Sequence, residues 1–186
     1  MSRLLRLFLW MGIFLSVPST ILAQGLEIGI GGGMTSSLDD DFKNGELGGL
    51  VGGFILIGDG PAKAGLEVDY GRFQVVSEHF NQIDILGSAR YVVPGSLSRL
   101  FLGAKAGYLT HFAEVENVDT QVSGIGYGPT LGLRGDGPGR VFELECSVLR
   151  LNYGNVSLDG EEVSKTRTDA WKIYMKFNLN IPVNRG

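Results

Sequence analysis

The sequence predicts an all-β protein, an eight-stranded antiparallel up-and-down transmembrane β-barrel. Three observations carry this reading: strict alternation of apolar and polar residues, connections that are short at one end of the strands and long at the other, and a charge-free strand face. The alternation is cleanest from Thr168 to Ile181. There Trp171, Ile173, Met175, Phe177, Leu179 and Ile181 fall on one parity, and Lys172, Tyr174, Lys176, Asn178 and Asn180 on the other. That is the period of a strand. A helix would smear the lysines and the apolar residues around its whole circumference.

The chain has 186 residues and opens with Arg3 and Arg6, an apolar run from Leu7 to Val17, Pro18, and a short segment ending at Ala23. This pattern predicts a secretory signal peptide over residues 1–23, with the barrel domain over 24–186. The apolar run is 11 residues long, well short of the roughly 20 that a membrane-spanning helix needs. Removing residues 1–23 takes away two arginines and no acids, so the 16 basic and 20 acidic groups become 14 and 20, a net charge of −6. That balance argues against nucleic acid as a partner. Cys146 is the sole cysteine, which excludes an internal disulfide framework. Glycine supplies 29 residues in no collagen-like period, and glycine this abundant among alternating apolar residues points to tightly curved sheet.

From Gly25 onward the chain breaks into eight alternating segments. The first sets Leu26, Ile28 and Ile30 against Glu27, Gly29 and Gly31. The second, Glu46 to Ile57, is apolar on both parities and its facing is undecided. The third sets Leu66, Val68 and Tyr70 against Glu67 and Asp69; the fourth sets Ile83, Ile85, Ala89, Tyr91 and Val93 against Gln82, Asp84, Ser88 and Arg90. Both read as two-faced strands. In the fifth, Leu100, Leu102, Ala104, Ala106 and Tyr108 oppose Lys105. The sixth sets Ile125, Tyr127, Leu131 and Leu133 against Gly124, Gly126, Gly128, Thr130 and Gly132, with Pro129 on the apolar parity. Proline cannot donate to a ladder, so a bulge or distorted pairing is expected there. The seventh sets Phe142, Leu144, Cys146 and Val148 against Glu143, Glu145 and Ser147. Leu149, Leu151 and Tyr153 then take over the apolar parity, which predicts a second bulge. Thr168 to Ile181 is the eighth.

Asp59-Gly60-Pro61, Pro94-Gly95-Ser96 and Asp136-Gly137-Pro138-Gly139 read as tight turns. Longer polar connections are expected from Thr35 to Gly45, around Ser77 to Asn81, from Ala113 to Gln121 and from Gly154 to Arg167. Short and long connections therefore segregate to opposite ends, as short periplasmic turns and longer external loops do. The polar face collects Glu27, Glu67, Asp69, Asp84, Arg90, Lys105, Glu143, Glu145, Lys172 and Lys176, and these charges are expected to share a narrow, plugged lumen as one network. The other face carries no charge apart from an ambiguous Arg150. Tyr108, Tyr127, Tyr153 and Trp171 lie toward the long-loop ends, and Tyr91 and Phe142 toward the short turns; they are expected to form two aromatic belts at membrane interfaces. The rival architecture is a soluble lipocalin-type barrel with the apolar face turned inward around a small ligand.

On its export signal, strand count, loop asymmetry and face chemistry, the stretch from Gln24 to Ile181 resembles the small OmpA/OmpX-type outer-membrane β-barrel proteins of Gram-negative bacteria. The resemblance implies residence in the outer membrane, contact with its lipid, and delivery by the barrel-assembly machinery. Tyr174, Phe177 and Leu179 in the last strand are similar to the signal that this machinery reads, although the chain ends in Pro182-Val183-Asn184-Arg185-Gly186 and not at a terminal aromatic residue.

No catalytic constellation stands out. His79 and His111 lack a serine or acid at a recognisable spacing, and no nucleophile elbow, phosphate loop or metal-ligand spacing is present. No cofactor is expected, and the enzyme reading, an outer-membrane lipid-modifying barrel, ranks third. Asp39-Asp40-Asp41 has the oxygen chemistry of a divalent-cation chelator, but such a run is more often solvated. Val156 and Leu158 precede Asp159-Gly160, and Val163 follows; this predicts a hairpin that continues past the membrane as a ribbon, offering an edge to a surface protein by strand addition. The function expected is structural contact at the cell surface.

Overall fold

The computed structural model describes residues 25–37, 47–58, 60–75, 78–95, 99–115, 118–164 and 168–183. The export segment 1–23 and the Asp39-Asp40-Asp41 cluster lie outside the described residues. In chain order the strands are β1 Leu26–Ser37, β2 Gly48–Ile57, β3 Ala62–Val75, β4 Glu78–Val92, β5 Arg99–Val115, β6 Val118–Gly137, β7 Arg140–Leu158, β8 Glu161–Ser164 and β9 Thr168–Val183. Each of β1 to β6 pairs antiparallel with the next, and β9 pairs with β7 on one side and β1 on the other. Eight strands thus close a ring, with no edge at its seam. The short β8 pairs with the far end of β7 and stands above the ring.

At one end the described turn residues are as tight as their composition predicts, Asp59 and Ser96 lying outside the described residues. Gly60 and Gly139 both have φ of 67°, a left-handed conformation that glycine adopts without steric cost. At the other end the structure corrects three of the four expected loops, the fourth, Thr35 to Gly45, lying mostly outside the described residues. Val75 pairs with Glu78 and Val115 with Val118, while β7 continues to Leu158. Most of Ser77 to Asn81, Ala113 to Gln121 and Gly154 to Arg167 is therefore strand. Once a strand leaves the membrane, nothing requires an apolar face, so the alternation fades while the ladder continues. β5, β6 and β7 have 17, 20 and 19 residues, against the roughly 9–11 that cross a bilayer. Their upper parts project as a sheet.

The facing of β2 is resolved by burial. Leu50, Phe54 and Leu56 point inward, whereas Val51 and Ile55 are exposed on the outside; inside, Leu50 joins an apolar cluster and Phe54 lies against the Arg90 guanidinium. Pro129 is outward and pairs with Ala104 of β5. The pairing with β7 lapses at Gly128 and Pro129 without a change of register, Tyr127 matching Arg150 and Thr130 matching Ser147. The missing donor distorts the ladder but adds no bulge.

The second bulge expected after Ser147 is absent. Val141, Glu143, Glu145, Ser147, Leu149, Leu151 and Tyr153 all stay buried on one parity; the inward face changes from charged to apolar and the strand does not turn over. The irregularity in β7 lies higher, at Gly154, where Tyr153 pairs with Gly124 and Asn155 with Ser123.

Candidate functional site: a filled lumen beneath a projecting sheet

All ten charged residues of the polar parity are buried inside the ring: Glu27, Glu67, Asp69, Asp84, Arg90, Lys105, Glu143, Glu145, Lys172 and Lys176. Eight of these, all but Asp84 and Lys172, join ion pairs between strands. At the short-turn end, Glu27 of β1 accepts from Lys63 Nζ at 2.6 Å and from Arg134 Nη2 at 2.6 Å. Arg134 also donates to Glu143 at 3.2 Å. Arg90 pairs with Glu143 at 2.6 Å and Glu145 at 3.0 Å, its guanidinium 5.3 Å from the Phe54 ring centroid and 5.4 Å from that of Phe101. Lys105 joins Glu145 to Glu67, the latter at 2.7 Å, and Lys176 joins Glu67 to Asp69, the latter at 2.6 Å. The result is one continuous ladder of alternating charge across the barrel. Charges this far from water persist only when paired and hydrogen-bonded.

Arg134 and Lys63 belong to this ladder but escape a reading that stops at the obvious apolar runs. Both were findable. Arg134 continues the parity of Thr130 and Gly132 one step past Leu133, and Lys63 continues that of Glu67 and Asp69 two steps back.

Above the ladder the lumen changes character. Leu50, Leu86, Leu109, Leu149, Leu151, Ala170 and the ring of Tyr174 pack into an apolar plug. Lys172 donates to Gln82 and, at 3.3 Å, to His111 Nε2. An ammonium accepts nothing, so Nε2 is the acceptor and Nδ1–H of His111 donates to Tyr153 Oη at 3.1 Å. Phe73 covers this group, edge-on to His111 at 5.3 Å between centroids and stacked on Phe80 at 5.6 Å. His111 therefore serves the plug. The side chain of His79 lies outside those described.

Acids and amines pair across the lumen, and the interior of an eight-stranded barrel is just wide enough for side chains to fill. In planar bilayers the folded protein is expected to show small or no conductance. A large, steady ohmic current would contradict the filled lumen. Among the described residues no three His, Cys, Asp or Glu side chains are grouped so as to hold a metal ion.

The outer surface is the inverse of the lumen. Ile28, Ile30, Val68, Ile85, Leu102, Leu131, Leu144, Met175 and Phe177 are all exposed there, which places the apolar face outside and overturns the soluble, ligand-lined alternative. Tyr91 and Phe142 face out near the tight turns, and Tyr108, Tyr127 and Trp171 face out toward the other end. Tyr153 is the exception among the expected belt residues: it is buried at 8% exposure. With no bulge below it in β7, it keeps the inward parity of Glu143. Tyr70, exposed on β3, joins the upper belt instead. Arg150 lies on the outward parity, in register with Tyr127 on one side and Trp171 on the other. That is the interfacial level, where a long cationic side chain reaches head groups while its stem stays in apolar surroundings.

A closed antiparallel barrel, apolar outside between two aromatic levels and charge-paired within, is a membrane-spanning β-barrel. Its fold is similar to that in a crystal structure of Neisserial surface protein A (NspA), with a TM-score of 0.58 at 16% sequence identity, over 86% of this chain and 96% of that one. No protein-family model matches the sequence, and no curated protein does.

Proposed function

We propose that the protein is an outer-membrane barrel of a Gram-negative bacterium that makes contacts at the cell surface through its projecting sheet and is not an enzyme. Export by residues 1–23, insertion by the barrel-assembly machinery and embedding in outer-membrane lipid are parts of this reading. The likeness to a surface protein supports it.

The observation that carries the surface role is the one-sided extension of the barrel. β7 runs to Leu158, turns at Asp159 and Gly160 with φ of 48° and 81°, and returns as β8, Leu158 pairing with Glu161. Two successive residues at positive φ are what a tight hairpin with twisted strands requires. On its other flank β7 remains tied to β6, as Asp159 N–H donates to the Asp119 carbonyl at 2.8 Å and Asp119 N–H to the Asp159 carboxylate at 3.0 Å. The ribbon is thus braced on one side, while the described pairing of β8 is with β7 alone. A strand supported in this way is suited to receive an extended segment of a surface protein by β-augmentation.

Trimming the ribbon, by joining Gly154 to Thr168 through a short turn, is expected to leave membrane insertion and heat-modifiable gel migration unchanged. Adhesion of cells displaying the trimmed chain should fall to the level of cells without it. Unchanged adhesion would remove the ribbon as the contact surface.

A further inference from the structure

Asp84 stands apart from the charge ladder. It is fully buried, yet among the described residues no cation lies within ion-pair distance of it. Its Oδ2 accepts from two neutral donors, Tyr174 Oη–H at 2.8 Å and Gln82 Nε2–H at 2.8 Å. The neighbouring element repeats the problem: Asp69 of β3, also fully buried, is its direct cross-strand partner. Side chains in such a pair have Cβ atoms about 4.5–5.5 Å apart, and like charges there are destabilising. Each carboxyl also has one buried oxygen without a hydrogen-bond partner, Oδ1 on Asp84 and Oδ2 on Asp69.

We propose that Asp69 and Asp84 hold one proton between them in the folded barrel, making the pair a proton-binding site inside the lumen. Asp84 is the acid, with Oδ2 as its carbonyl oxygen and Oδ1–H as donor; Asp69, ion-paired with Lys176 at 2.6 Å, is the carboxylate that receives it. One proton then satisfies both orphaned oxygens and removes the opposed like charges.

The charged and titratable groups around the pair are engaged elsewhere or reach Asp84 only through space. Glu67, on β3 with Asp69, takes part of Lys176 and of Lys105. Lys105 of β5 is shared with Glu145 of β7, and Arg90 of β4 is held by Glu143 and Glu145. On β9, Lys172 acts on Asp84 through space but donates to Gln82 and His111, and Tyr174 already donates to Asp84. Five carboxylates in the middle of the barrel, Glu67, Asp69, Asp84, Glu143 and Glu145, thus share Arg90, Lys105, Lys176 and part of Arg134, which Glu27 and Asp136 also hold, and none of these four cations is in ion-pair contact with Asp84. The wall packs closely around both groups: a Cβ at Gly52 of β2 would overlap the Asp69 carboxylate, and one at Gly71 would crowd Gln82.

Infrared spectroscopy of the full folded barrel in lipid vesicles at neutral pH reads the proton directly, as the carbonyl stretch of a protonated carboxylic acid. The band is expected in the native protein, should shift on labelling aspartate with carbon-13 at the side-chain carboxyl, and should be lost in Asp84→Asn and in Asp69→Asn. Glu27→Gln, at the lower mouth, should keep it. Absence of the band from the native protein, as for an ionised pair bridged by water or a metal cation, would overturn the proposal. So would a band that ignores the aspartate label, a readout that needs no variant to fold.

Discussion

Arginine in place of Phe177 is expected to lower the folding free energy in lipid vesicles by about 2–4 kcal/mol, the cost of a cationic side chain on the lipid face near the bilayer midplane. Phe177 is 55% exposed on the outward face and lies in register between Gly32 of β1 and Leu144 of β7, one outward position above Phe142, whose ring it meets at 6.0 Å between centroids, and well below Trp171. The same change at Tyr127, on the upper belt, should cost only about 0–1 kcal/mol, because the penalty falls steeply toward the interface. Chemical unfolding from vesicles measures both. Equal costs at the two positions would mean that no depth gradient exists and that the outer face does not meet lipid.

Lys176→Met should cost about 3–5 kcal/mol, as expected when one member of a buried charge network is removed and the others remain. The change nearly preserves volume, so the loss is electrostatic. Glu67 keeps Lys105 at 2.7 Å, but Asp69 loses the one ion pair it has among the described residues. Adding Asp69→Asn to Lys176→Met should therefore recover much of the loss, a coupling that a double-mutant cycle isolates. Additive costs would show that the two residues do not depend on each other.

The sequence made the sides of the strands legible because a period of two is a local property. Glu67 and Asp69 point the same way whatever they touch. Which charge meets which was not legible, since Arg90 and Glu143 lie 53 positions apart and meet only through ring closure. The same limit hid the plug. Leu149 and Leu151 are inward like Glu145, but a switch from charged to apolar on one parity looks, in one dimension, like a strand turning over, and Tyr153 was carried to the wrong face with them. β2 gave no parity signal because Phe54 and Ile55 are both large and apolar, one packed beside Arg90 and the other facing out. The hairpin at Asp159-Gly160 was legible because its turn demands a particular backbone. The extent of β5 and β6 beyond the membrane was not, since an exposed ladder asks nothing of its side chains.

The central claim is that one face of every crossing strand meets lipid while the other closes a filled, polar lumen, and β9 offers the most direct test. Single cysteines placed from Lys172 to Asn180 in a Cys146→Ser background, labelled and reconstituted in bilayers, report each position's access to a lipid-soluble quencher. Met175, Phe177 and Leu179 should be quenched strongly, and Tyr174, Lys176 and Asn178, buried in the lumen, should not. Equal quenching on both parities, or none on either, would contradict a strand that crosses the membrane with one face in lipid.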